Sequence, residues 1–232
     1  MTPEQIRAAA GQLRSGTDAA ALFVAFQLDA WIASGAGAGA AIEALPAIVA
    51  ALQRPPPVSS AALGLLVALL AADPRGGTVG SAADAIVSAG ALGPVVHLLG
   101  AGEDDAEAAA GLITNLGADM TAAGDAARCD RMAAAVAVGA VPALLGVLRR
   151  RPRAADLREV AALALANISS VPGGGGANAI AEAGGVAVLS AAVRDAPTVG
   201  ALRSAVAALG SLAQDCRPIT WVDAHTLAAT DA

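Results

Sequence analysis

Between Val136 and Leu148 the chain reads VAVGAVPALLGVL, an apolar run with no polar side chain, broken by Gly139 and Pro142. A membrane-spanning helix needs about 18 or more uninterrupted apolar residues, and even the longer run from Ala133 to Leu148 falls short, so membrane insertion is not expected. Gly139 permits the positive φ that ends a helix, and Pro142 starts the next one where no amide donor is required. The pattern predicts a short helix, a corner and a second helix. Leu144, Leu145 and Leu148 give that second helix an apolar face that one unit cannot cover by itself.

The same pattern returns three more times, as IVSAGALGPVVHLL from Ile86, IAEAGGVAVLSAAV from Ile180 and AIEALPAIVAAL from Ala41, with Pro46, Gly93, Pro142 and Ala187 in one column. A loop and a longer helical run follow each corner: SSAALGLLVALLAA from Ser59, EAAAGLITNLGAD from Glu107, LREVAALALANISS from Leu157 and LRSAVAALGSLAQD from Leu202. Here Ala68, Asn115, Asn167 and Ser211 share a column. Self-similarity at a period of roughly 20 to 50 residues is the mark of a solenoid. The spacing divides the chain into units at 35–80, 81–131, 132–176 and 177–217 within one domain over 1–232. An incomplete unit at 1–34 precedes them, with Thr2 as N-cap, Pro3 in the corner column, QIRAAAGQLRSG as second helix and TDAAALFVAFQLDAWIAS as third. The segment PITWVDAHTLAATDA, 218–232, reads as the first helix of a further unit, left partial.

Composition sharpens this picture. A hydrophobic content of 56% against 15% charged residues suits a membrane protein or a large core, but much of it is alanine, which favours helix and takes little room between helices. The chain has no lysine, which removes Schiff-base chemistry and the phosphate-binding lysine of nucleotide loops. A net charge of −6 argues against nucleic acid as a partner. Cys129 and Cys216 match no ligand or redox spacing, and the amino terminus lacks the apolar stretch of a secretory signal. A reducing compartment is therefore expected, cytoplasmic in the simplest case, with nuclear or ciliary and cytoskeletal sites also compatible.

With VGAVPALLGVL followed by VAALALANIS in residues 138–169, and AGALGPVVHLL followed by AGLITNLG in 89–117, the chain resembles the armadillo repeat, AGAIPxLVxLL followed by AxxALxNLA. The resemblance implies an all-α, right-handed α-solenoid of about four to five three-helix repeats, whose third helices line a concave groove. In that family an asparagine of the third helix binds the backbone of an extended peptide, and a tryptophan one turn earlier packs the peptide's side chains. Asn115 and Asn167 occupy the asparagine column here, but Gly111 and Leu163 stand one turn earlier, and the next unit has Ala207 with Ser211. The tryptophan ladder is missing, so the resemblance does not extend to nuclear-import receptors. Glu107, Glu159 and Arg203 lie two turns before the column and project from the same face. The two asparagines either contact a peptide or bond helix backbone. The expected function is a non-enzymatic scaffold or adaptor whose partner is a peptide, a helical segment or a neighbouring subunit. The resemblance also implies an alternative, because some short armadillo proteins embrace a heat-shock chaperone's ATPase domain and speed nucleotide exchange.

The run RRRPRAADLR, with Arg149, Arg150, Arg151 and Arg153, is equivalent to the acidic loop GEDDAE at Gly102–Glu107 one unit earlier. Stacking is expected to pair the two edges, the other reading being a basic patch for an acidic partner. GAGAGA at 35–40 and PGGGGAN at 172–178 are read as flexible linkers. His97, Asp223 and His225 have neither a nucleophile elbow nor zinc spacing beside them, so no catalysis, cofactor, metal or small-molecule substrate is expected.

Overall fold

The computed structural model describes residues 3–34, 41–73, 81–118, 125–150, 154–171 and 175–215, and among these every regular element is helical. A two-helix unit comes first, α1 (Pro3–Ser15) and α2 (Asp18–Ala33). The next unit has a 3-10 turn (Ile42–Ala44), α3 (Leu45–Ala51) and α4 (Val58–Ala71). Three units of first, second and third helix follow: α5 (Ala82–Ser88), α6 (Leu92–Leu98) and α7 (Glu103–Leu116); α8 (Asp125–Ala137), α9 (Ala140–Arg150) and α10 (Ala155–Ser169); α11 (Gly175–Glu182), α12 (Gly185–Arg194) and α13 (Val199–Asp215).

The corners form as the sequence predicts. Gly90, Gly139 and Gly184 have φ of 79°, 86° and 73°. At the first of them the Gly90 amide donates to Val87 O (2.9 Å) and the Ala91 amide to Ile86 O (3.3 Å), the double bond of a Schellman stop. The helices meeting at Gly139 and Gly184 are bent by 69° and 83°, and no single helix among the described residues is long and apolar enough to cross a membrane. The unit beginning at Ala41 has Glu43 where the others have glycine, and there the chain turns through the 3-10 segment directly into α3.

Third helices stack side by side in the order α2, α4, α7, α10, α13. Behind them second helices meet as α1 with α3, α6 with α9 and α9 with α12, while each first helix packs against the preceding third helix. Buried residues repeat in register: Val24, Ala25 and Leu28; Leu65, Leu66 and Leu69; Leu112, Ile113 and Leu116; Ala164, Leu165 and Ile168. The core is thus one ribbon built from nearest-neighbour contacts.

Arginines tie the units by capping helix carboxyl ends, where carbonyls lack intrahelical donors. Arg54 donates to Leu13 O (3.0 Å) and Gly16 O (2.9 Å) and pairs with Asp18. Arg131, 2% exposed, donates to Leu116 O (2.9 Å) and bonds Asp84 (2.7 Å). Of the arginines expected to pair with the acidic loop, Arg149 donates to Ala183 O (2.9 Å) and Arg150 to Leu99 O (2.6 Å). Guanidinium groups reach the neighbouring units, but they are held by carbonyls at helix ends.

The glycine run also differs from the expected linker. Gly175 to Asn178 form the first turn of α11, and Gly176 lies so close to Ile168 O that a Cβ would collide with it. The expectations for Thr2, 35–40, Arg151, Arg153, 172–174, Cys216 and 218–232, with Asp223 and His225, lie outside the described residues.

Candidate protein-binding surface

Register across the third helices defines the surface. AALFVAFQL at 20–28 aligns with AALGLLVAL at 61–69, which places Phe23 in the column of Gly64, Gly111, Leu163 and Ala207, and Gln27 in the column of Ala68, Asn115, Asn167 and Ser211. Residues four apart share a helix face, so these two columns form one stripe across five stacked helices. Phe23 is 63% exposed and Leu163 38%, with Phe26 beside them at 73%. The sequence reading passed over Phe23 and Gln27 because the first unit lacks the corner that sets the register elsewhere, although the two nine-residue strings carry the signal. Between the large side chains the stripe is floored by Gly64, Gly111 and Ala207, which leaves backbone accessible.

The two asparagines separate in role. The Asn167 amide donates to Thr114 O (2.9 Å) on the preceding third helix, and Thr114 donates back through Oγ1 to Val160 O (3.3 Å). Gly117 makes the approach possible, since a Cβ there would fall 2.9 Å from Asn167 Cβ. Asn115 is exposed, and its amide makes no hydrogen bond among the described residues. Leu70 stands in the column of Gly117 one unit earlier, where Asn167 has a glycine.

The charged column separates likewise. Glu159 accepts from Thr198 Oγ1 (2.7 Å), and Thr198 in turn accepts from the Ala201 amide (2.9 Å) as the N-cap of α13. The Glu159 carboxylate lies directly over Gly200. A carboxylate at a helix amino terminus is favoured by the free amides there, so this group joins α10 to α13. Glu107 is half-buried, and Arg203 is exposed. Ser211 bonds within its own helix to Ala207 O (3.3 Å). His97 is exposed on α6, Cys129 is a free, half-buried thiol, and no three His, Cys, Asp or Glu side chains converge among the described residues.

The stacked three-helix units with glycine corners define an armadillo-like repeat fold, an all-α solenoid. Solved structures agree: an engineered protein superposes with a TM-score of 0.73 at 25% identity, covering 92% of this chain and 80% of that one. A designed armadillo repeat protein gives 0.73 at 22% identity, covering 92% and 83%. Computationally designed armadillo repeat proteins for modular peptide recognition give 0.73 at 22%, covering 92% and 82%. No protein-family model matches the chain, and no curated protein matches it in sequence.

Proposed function

We propose that this chain is a non-enzymatic scaffold or adaptor that takes an extended segment of a partner protein along the concave groove lined by its third helices. The observation that carries this reading is the exposed stripe from Phe23 and Gln27 through Gly111 and Asn115 to Leu163. It offers apolar anchors, glycine-floored backbone and one uncommitted amide at Asn115. An amide both donates and accepts, as a peptide backbone requires. Designed armadillo repeat proteins made for peptide recognition share the fold, which supports a peptide-like partner.

Selection of a displayed peptide library on the wild-type chain tests this reading, followed by affinity and melting temperature for two variants. Asn115→Ala removes an exposed hydrogen bond to the ligand, so selected peptides should bind about 3- to 10-fold more weakly at unchanged melting temperature. Asn167→Ala should instead lower the melting temperature, because its bond joins α10 to α7. Full-strength binding by both Asn115→Ala and a Phe23→Ala variant would remove the partner from this face.

A further inference from the structure

The charges in the stripe set which segment it can take. Two turns before the asparagine column stand Ala19, Ser60, Glu107, Glu159 and Arg203, one on each third helix, so charge enters this column only over α7, α10 and α13. Glu159 is committed within the fold, because Thr198 caps α13 and donates to it while Gly200 leaves room beneath. One junction earlier the register puts Ala154 in the place of Thr198 and Asp156 in the place of Gly200.

Glu107 therefore lacks what Glu159 has. Ala154 is the N-cap of α10, and its methyl group offers no donor. Asp156, exposed in the first turn of α10, brings a second carboxylate in its stead. Neither Glu107 nor Asp156 makes a hydrogen bond or ion pair among the described residues. Arg203 has the opposite sign, is exposed, and is likewise without a hydrogen bond or ion pair among the described residues. It lies four residues before Ala207 and so shares the face of the stripe. Charged groups left without a partner by the fold are the ones that gain a charge-assisted hydrogen bond from a ligand.

We propose, resting on the groove reading above, that the bound segment is bipolar: a basic side chain meets Glu107, an acidic one meets Arg203, and an apolar residue between them lies on Leu163. The spacing follows from the stack. Packed helices lie about 8–10 Å apart, so α7 and α13 are separated by about 16–20 Å. An extended chain advances about 3.3 Å per residue, which puts the two charges about five or six residues apart. A segment of one sign throughout would satisfy one end of this span and be repelled at the other.

A displayed peptide library selected on the full chain at low salt tests the proposal, followed by affinities of the tightest peptide and of two forms with its basic or its acidic residue replaced by glutamine. Selected peptides should share the basic and acidic positions at that spacing. Glu107→Gln should weaken the parent peptide about 2- to 5-fold and leave unchanged the affinity of the form that has already lost its basic residue. Arg203→Gln should do the same with the acidic residue. Raising NaCl to about 0.5 M should erase both effects, while melting temperature and helical circular dichroism stay those of the wild type. A second selection on Arg203→Glu should return a basic residue at the formerly acidic position. Peptides that need Asn115 yet carry no such charge pair, or that bind Glu107→Gln and Arg203→Gln at full strength, overturn the bipolar segment and leave the groove standing. Peptides indifferent to Asn115→Ala and Phe23→Ala, or a library that yields no binder, overturn the groove and the bipolar segment together.

Discussion

Gly139 shows how a single residue directs the chain. Its φ of 86° lies in the left-handed region, and no heavy atom stands within 4 Å of where a Cβ would sit. The cost of Gly139→Val is therefore a backbone cost alone, about 1–2 kcal/mol, which for a chain of this size lowers the melting temperature by about 2–8 °C. Gly139→Asn should recover most of that loss, because asparagine tolerates the left-handed region. Equal melting temperatures for Val and Gly would mean a corner without positive φ. Arg131 is the second such residue. Arg131→Ala leaves Leu116 O without this donor and Asp84 without its guanidinium, and the partial exposure of Asp84 (26%) moderates the loss to about 2–3 kcal/mol, read by urea denaturation.

Elements are joined by side chains that finish one helix while holding another. Thr198 caps α13 and donates to Glu159 of α10, so the two residues act as a unit. Thr198→Ala should cost about 1–2 kcal/mol, more than a cap alone, because it also strips Glu159 of a donor. A double-mutant cycle with Glu159→Ala should give a coupling of about 0.5–1 kcal/mol, and strict additivity would show that the carboxylate contributes only through its own solvation. By local preference the glycines of α11 favour a loop. Packing decided otherwise, since Gly176 alone allows α11 to lie against the end of α10.

As a whole molecule the stack is close to one-dimensional, each unit contacting its neighbours. Opening should then start at the ends. Amide exchange at dilute concentration is expected to be slowest in α4, α7 and α10, which have third helices on both sides, and faster in α2 and α13. Uniform protection along the chain would mean all-or-none opening and no such gradient.

What the sequence by itself determined were the periodic features: the corner glycines, the three-helix order, the buried columns and the stripe through Asn115 and Asn167. These follow from local backbone preference and from which side chains must leave water, and both are written at each position. Tertiary structure decided what members of one column do. Asn115 and Asn167 are the same residue at the same register, yet Asn167 reaches Thr114 O over Gly117 while Asn115 stays exposed opposite Leu70's column. Glu159 likewise became a joint because Gly200 leaves room beneath it, and Arg149 and Arg150 found carbonyls at helix ends. Hydrogen-bond partners depend on distances of a few tenths of an ångström between chain segments some fifty residues apart, and those distances are fixed only when the units have stacked.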